Sequence, residues 1–259
     1  MKRIRTDSNG IPILSRTDIE ERVEKFIRYF DEECLNKPGF TPIATICTRL
    51  RNEHGVNFVF GQDLGKTKEG YKYRGRFHIP SQTIYIDKSL EEGGVQFNFT
   101  LAHELGHFVF HRRMDLSILK EENTEEISDT NRDLILDQIQ GDNPKTWIEW
   151  QANKFASSLL LPRSTVPIAV EDKQKEMGIN RNMGKIFLNR GHGSYNDYNV
   201  QMEHLSLIYQ SSKSSIRIRL RELGILVDSA GETTNAPKEP AHLSKYLKNV
   251  VDAFLDGNG

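Results

Sequence analysis

Residues 99–107 read Phe-Thr-Leu-Ala-His-Glu-Leu-Gly-His, and no other part of the sequence is as informative. On an α-helix, His103 and His107 lie on one face, about 6 Å apart along the axis. Two imidazoles at this spacing can converge on one tetrahedral Zn²⁺. Glu104 lies to the side of the pair, where it can take a proton from water as a general base. Gly106 lets a second segment approach closely. The pattern predicts a zinc peptidase, with an ordinary helix that carries two histidines as the alternative.

A zinc site of this kind needs a third protein ligand. His111 lies eight residues after His103, about 12 Å along a straight helix, so it cannot share an ion with His103. The metzincin pattern is excluded because Phe110 and Arg113 stand where it requires glycine and histidine. The third ligand is therefore expected to be a carboxylate on another element.

Glu149 is the best candidate for that carboxylate, because it lies in a second helical pattern that ends before Pro162. Asn153 shares a face with Glu149 and can orient a ligand by hydrogen bonding. Small residues at 152 and 156 allow the two helices to lie close together. The apolar residues along one side of this helix are Ile148, Ala152, Phe155, Ala156 and Leu159.

Other carboxylates lie in a polar run between these two helices. Runs of this kind are usually solvated surface, so we rank them below Glu149 as ligands. They are Glu121, Glu122, Glu125, Glu126 and Asp129. The whole connection, residues 114–146, is either a lid over the cleft or a surface insertion, and we prefer the insertion.

Two blocks of sequence together resemble the ImmA/IrrE metallopeptidases. The first is residues 99–107, and the second joins Glu-Trp-Gln-Ala-Asn-Lys-Phe-Ala at 149–156 to Leu-Leu-Leu-Pro at 159–162. The resemblance extends over roughly residues 40–226. It implies a zincin-like α+β domain, a small sheet beside the metal helix, followed by a helix-turn-helix-like region.

The resemblance also implies roles for residues and a substrate. His103, His107 and Glu149 would bind zinc, and Glu104 would be the catalytic base. The implied substrate is a helix-turn-helix transcriptional repressor, cut to release genes of stress responses, mobile elements or defence. The metal can be zinc or manganese, which the ligand types do not distinguish. Single-stranded DNA is a candidate activator.

The composition is that of a soluble globular protein, with 37% hydrophobic and 27% charged residues among 259. A net charge of −1 gives no global attraction to nucleic acid or membrane. No apolar run is long enough for a signal peptide or a membrane span, so we expect a cytoplasmic protein. Cys34 and Cys47 do not form a disulfide framework. Cys47 shares a helical face with Ile43, Ile46 and Leu50, so a reduced core thiol is expected.

Hydrophobic periodicity predicts helix, strands and then the metal helix, which is an α+β order. A capping box at residues 17–20 opens the first helix. A second helix follows at about 43–51, then strands at 56–60, 71–79 and 83–86. An edge strand of this sheet is a candidate for binding substrate backbone.

We divide the chain into four parts. They are a metallopeptidase domain (1–167), a helix-turn-helix-like region (168–228), a linker (229–240) and a C-terminal amphipathic helix (241–259). Within the second part, residues 216–221 alternate between apolar side chains and arginine, so a strand is the alternative to a helix. We expect this region to pack on the peptidase core. Contact with DNA is a weaker alternative, with these candidate residues: Lys213, Arg217, Arg219 and Arg221.

The group that stabilises the oxyanion of peptide hydrolysis has several candidates. They are His192, Tyr85 and Tyr195. Two other functions remain open: a zinc-containing DNA- or repressor-binding module without proteolysis, and a hydrolase of non-peptide amides. The intact Glu104 favours an enzyme, since a structural zinc site needs no base.

Overall fold

The computed structural model describes residues 5–7, 10–114, 126–130, 144–188 and 192–228, with backbone alone at 126, 128–130, 192, 193 and 228. The predicted linker and C-terminal helix lie outside these residues. The helices are α1 (Arg16–Phe30), a 3-10 helix (Glu32–Leu35), α2 (Ile43–His54), α3 (Val95–His111), α4 (Pro144–Leu160), α5 (Val166–Glu176), α6 (His192–Tyr209) and α7 (Lys213–Glu222). The strands are β1 (Asn57–Gln62), β2 (Tyr73–His78), β3 (Thr83–Asp87), β4 (Glu126–Thr130), β5 (Ile186–Leu188) and β6 (Leu226–Asp228).

The first helix begins two residues earlier than the capping box at residues 17–20 predicted. Ser15 is the N-cap: its hydroxyl accepts a hydrogen bond from the Asp18 N–H, and Asp18 accepts one from the Ser15 N–H. Asp18 therefore takes the role usually filled by glutamate or glutamine in this motif. The predicted apolar stripe is confirmed, because Ile19, Val23 and Ile27 are buried.

A four-stranded sheet in the order β1–β3–β2–β4 lies beside α3. β1 and β3 are parallel, and β2 is antiparallel to both β3 and β4. Phe77 in β2 packs edge-on against Phe108 in α3, with ring centroids 6.0 Å apart. Ile84 is the cross-strand partner of Phe77, so both side chains face α3. The predicted α+β arrangement is confirmed.

The connection at 114–146 contributes β4, which sequence patterning did not predict. Ile127 of β4 is 1% exposed and packs in a small apolar cluster with Ile11, Met114 and Ile148. This part of the connection is therefore neither a lid nor a surface insertion but a strand of the sheet. The structure does not describe the side chains of the competing carboxylates at positions 121, 122, 125, 126 and 129.

Within the predicted helix-turn-helix-like region, residues 216–221 lie in α7, so the alternative of a strand there is wrong. The region is not wholly helical, because β5 and β6 pair in a parallel two-stranded sheet. Ser212 caps α7 by accepting a hydrogen bond from the Ser215 N–H. Ile216 and Leu220 are buried in the same apolar cluster as the residues of α1, α3 and α4. This packing against α1, α3 and α4 agrees with the preferred prediction. None of the described helices has the length and hydrophobicity that a membrane span requires.

Candidate metal centre

Close contact between α3 and α4 creates the candidate metal centre. A Cβ atom at Gly106 would lie 2.9 Å from the Ala152 Cα and 3.1 Å from the Phe155 Cβ. Only glycine fits without displacement, which confirms the predicted close approach at Gly106. The two helices thus meet where the histidines of α3 face Glu149 of α4.

Three candidate ligands converge at this contact. The His103 Nε2 and His107 Nε2 atoms lie 2.9 Å apart, and the Glu149 Oε2 atom lies 3.2 Å and 3.5 Å from them. The ligand atoms of the three residues all lie within 4.8 Å of one another. At most 1% of each side chain is exposed. Two imidazoles and one carboxylate are the ligand set of many catalytic zinc sites.

The hydrogen bond to Asn153 prepares His103 for metal binding. The Asn153 Oδ1 atom is 2.9 Å from the His103 Nδ1 atom and can only accept. His103 therefore carries its proton on Nδ1 and directs the lone pair of Nε2 toward His107 and Glu149. A divalent cation would satisfy these converging donors, whereas burying a carboxylate without a counter-charge is costly. The residues present fit a metal ion.

Glu104 is fully buried beside this cluster and packs against the sheet. A Cβ at Gly75 of β2 would lie 2.0 Å from the Glu104 Oε1 atom and 2.8 Å from its carboxyl carbon. The missing side chain of Gly75 therefore provides the space that the Glu104 carboxylate occupies. Sequence reasoning did not single out Gly75, because a glycine within a strand pattern carries no sign of its distant neighbour.

The strand next to Glu104 is not an edge strand. β2 is paired on one side with β3 and on the other with β4, in which Asp129 is the register partner of Gly75. The edge strands of the described sheet are β1 and β4. Backbone pairing by a substrate would thus use the outer edge of β1 or β4, and it stays a prediction.

Nothing in the described residues supports the candidates for oxyanion stabilisation. Tyr85 follows the opposite face of the sheet, because its neighbour Ile86 pairs with Gly75 and shares the face toward α3. The assignment of Tyr85 is therefore wrong. Tyr195 is 56% exposed on α6, and no contact in the described residues supports its role. The side chain of His192 lies outside the description.

Arg219 is a structural residue, so its assignment as a DNA contact is corrected. It is 1% exposed, its Nε atom donates to the Leu161 carbonyl at 2.9 Å, and its Nη2 atom donates to Glu20 at 2.9 Å. Lys213 is exposed and pairs with Glu203 at 3.1 Å. The remaining candidates, Arg217 and Arg221, are half-buried on α7. DNA contact by these three residues stays a prediction.

The two cysteines are free thiols. Burial raises the pKa of Cys47 to about 12, and burial together with the nearby Asp31 raises the pKa of Cys34 to about 11. Both side chains are therefore neutral near pH 7 and are poor metal ligands. The prediction that Cys47 is a core thiol is confirmed, because it packs among the buried residues of α2.

Sequence reasoning treated His111 only as a rejected ligand and gave Gln151 no role. Both are fully buried and hydrogen-bonded to each other next to His107. The spacing of His103, His107 and His111 at intervals of four residues was the available signal, because such residues form a continuous stripe on a helix. Gln151 lies on α4, and only tertiary contact reveals its partner.

Comparison with known proteins connects this geometry to a family. A solved structure of a Mycobacterium tuberculosis transcriptional regulator resembles the chain with a TM-score of 0.45 and 14% identity. The similarity covers 80% of this chain and 46% of that one, so the chain spans less than half of that regulator. No protein with a curated functional description matches the chain significantly.

The family comparison is more informative. The Peptidase_M78 sequence model, described as an IrrE N-terminal-like domain, matches residues 51–181. This match spans slightly more than half of the 259 residues and includes α3, α4 and all three candidate ligands. It agrees with the resemblance seen in the two sequence blocks. The chain belongs to the Peptidase_M78 family, through its IrrE N-terminal-like domain.

Proposed function

We propose that the protein is a zinc-dependent endopeptidase that cleaves a helix-turn-helix transcriptional repressor. The observation that carries the proposal is the buried cluster of His103, His107 and Glu149. The buried Glu104 carboxylate lies on α3, the helix that carries the two histidines. A structural metal site has no need of this additional carboxylate. The Glu104 carboxylate occupies the space left by the missing side chain of Gly75.

His103, His107 and Glu149 would hold the metal, which we take to be zinc, with manganese as the second choice. When bound, zinc would polarise the scissile carbonyl and lower the pKa of water. Glu104 takes a proton from the attacking water and delivers it to the amine that leaves. Asn153 fixes the orientation of His103 through its hydrogen bond.

The substrate proposal rests on the resemblance of the two sequence blocks to the ImmA/IrrE metallopeptidases. Cleavage of a repressor would release stress, mobile-element or defence genes, and DNA is a candidate activator. A protein acting on a DNA-bound repressor would work in the cytoplasm. The α6–α7 pair packs on the peptidase core, so it is a suitable element to connect a DNA signal to α4.

The test incubates the purified protein with the helix-turn-helix repressor encoded by a neighbouring gene. Zinc or manganese is supplied, with and without single-stranded DNA. We expect one discrete cut by the unmodified protein and none by Glu104→Gln, which should retain its zinc. Glu92→Gln, a matched change at an exposed position before α3, should cleave normally.

The outcomes separate the competing functions. Cleavage by Glu104→Gln at the normal rate would reject Glu104 as the base, and full zinc content in His103→Ala would reject the ligand assignment. A stable complex with the repressor but no cut by the metal-loaded protein would favour a non-proteolytic binding module. Release of small acyl groups without backbone cleavage would favour a hydrolase of non-peptide amides.

A further inference from the structure

His111 and Gln151 form a buried hydrogen-bond chain behind the metal centre. The His107 Nδ1 atom lies 3.0 Å from the His111 Nδ1 atom, and the His111 Nε2 atom lies 3.0 Å from the Gln151 Oε1 atom. The Gln151 Nε2 atom then donates to the Pro12 carbonyl at 2.7 Å. His107, His111 and Gln151 are each 0% exposed, so water does not compete for these bonds.

The direction of this chain follows from its far end. The Pro12 carbonyl can only accept a hydrogen bond, so the amide group of Gln151 must face it. The Gln151 oxygen consequently faces His111 and accepts from its Nε2–H. A neutral His111 with its proton on Nε2 has a lone pair on Nδ1, and this lone pair accepts from the Nδ1–H of His107.

The consequence for His107 is a single tautomer. With its proton held on Nδ1, His107 presents the lone pair of Nε2 toward His103 Nε2, 2.9 Å away, and toward Glu149. Metal ions bind only this deprotonated nitrogen. We infer that His111 and Gln151 are positioning residues that set the tautomer and orientation of His107 for metal binding. This inference rests on the proposed function, since it assumes that His107 binds the metal.

The segment before α1 holds the Pro12 end of this hydrogen-bond chain in place. Ile11 and Leu14 are buried on either side of Pro12, with 4% and 2% exposed. The Trp147 Nε1–H also donates to the Pro12 carbonyl, at 3.3 Å. The Pro12 carbonyl can only accept hydrogen bonds, and its buried neighbours hold it in place, so it fixes the orientation of the Gln151 amide. The segment before α1 therefore takes part in preparing the metal site, although it lies far from it in sequence.

The first test measures zinc affinity by competition with a chromophoric chelator. His111→Phe keeps an aromatic ring but removes the acceptor, and we expect affinity to fall about 10- to 100-fold. His111→Asn places an amide oxygen near the position of the imidazole Nδ1 and should keep affinity within about threefold of the unmodified protein. A packing role alone would predict the reverse order, because phenylalanine fills the site better than asparagine.

Gln151 has a matched control elsewhere in the fold. Gln174 is 1% exposed, accepts from the Gly184 N–H at 2.8 Å and donates to the Lys185 carbonyl at 2.7 Å. Gln151→Leu and Gln174→Leu each remove a buried amide with two hydrogen bonds. We expect Gln151→Leu to weaken zinc binding and Gln174→Leu to leave it unchanged.

The second test observes the tautomers directly in the unmodified protein, so it does not depend on the folding of any variant. Long-range ¹H–¹⁵N spectra of zinc-loaded protein with ¹⁵N-labelled histidine should show protons on His107 Nδ1 and His111 Nε2. A proton on His111 Nδ1, or unchanged zinc affinity in His111→Phe, would overturn the inference. Failure of the unmodified protein to bind any metal would instead overturn the proposed function on which it rests.

Discussion

At the scale of single residues, the absence of a side chain at Gly75 leaves room for the Glu104 carboxylate. An added Cβ would meet the Glu104 Oε1 atom at 2.0 Å. We expect Gly75→Ala to displace the carboxylate and reduce cleavage about 100-fold, because small errors in the position of a catalytic group are costly. Zinc content should be unchanged.

Gly39→Ala is the matched control for Gly75→Ala, because a Cβ at Gly39 would meet no atom within 4 Å. Its activity should remain normal. Repressor cleavage and bound zinc are measured for both variants. Normal cleavage by Gly75→Ala would contradict the prediction that this contact positions Glu104.

Asp87, at the end of β3, makes folding sensitive to acid. It is fully buried and accepts hydrogen bonds from the Leu64 N–H, the Ser89 N–H and hydroxyl, and the Lys72 ammonium. Burial alone would raise the pKa of Asp87, but these donors outweigh burial and hold the pKa well below its ordinary value. A lowered folded-state pKa means that the ionised carboxylate stabilises the protein above its unfolded pKa of about 3.9.

The corresponding prediction compares the protein with Asp87→Asn by urea unfolding. We expect the variant to be less stable by about 3 kcal/mol at pH 6, because the donors lose a charged acceptor. Below about pH 4 the difference should shrink, as the carboxylate becomes protonated in the unfolded protein and then in the folded one. A difference that is independent of pH would contradict the assignment.

At the scale of elements, the contact between α3 and α4 brings the ligands together. Glycine within a helix is normally unfavourable, and its replacement by alanine normally stabilises by about 0.5–1 kcal/mol. At Gly106 the opposite is expected, because the added methyl group would lie 2.9 Å from the Ala152 backbone. We predict that Gly106→Ala destabilises the protein by about 1–3 kcal/mol and weakens zinc binding.

Chemical denaturation and chelator competition together test Gly106→Ala. Loss of stability with reduced zinc affinity would show that helix separation controls ligand convergence. Stabilisation by the amount that helix propensity alone predicts would contradict the close packing of the two helices.

At the scale of the whole molecule, buried ion pairs join α7 to α1 and α4. Arg219 of α7 pairs with Glu20 of α1, and Glu222 of α7 pairs with Lys154 of α4. Burial would raise the pKa of Glu222, but Lys154 and Arg219 hold the pKa below its ordinary value. Lys154 directly follows Asn153, so this network connects α7 to the helix that carries Glu149.

We predict that Arg219→Ala destabilises the protein by about 3–5 kcal/mol, because it leaves Glu20 buried without its counter-charge. Replacing Arg219 and Glu20 together with methionine should cost much less than the sum of the single changes. Arg28→Ala is the surface control, since Arg28 and Glu32 are more than half exposed and such pairs contribute about 1 kcal/mol at most. Equal costs for Arg28→Ala and Arg219→Ala, by urea unfolding, would contradict the proposed network.

Local patterns were sufficient for the helices and for the metal-ligand candidates. His103 and His107 share a face because helical geometry repeats every 3.6 residues. Glu149 and Asn153 share a face for the same reason, and both lie at the predicted centre. The first helix begins two residues earlier than predicted, because Asp18 completes a capping box with Ser15.

Local sequence patterns predicted the α+β class, the helix of His103 and His107, the helix of Glu149 and the three candidate ligands. Tertiary structure decided the roles of Gly75, His111, Gln151 and Arg219, and it added β4 to the sheet. The two kinds of feature differ because they depend on interactions over different distances along the sequence. Periodicity and capping depend on neighbours within one or two turns, whereas hydrogen-bond direction, burial of charge and strand pairing depend on which distant segments meet.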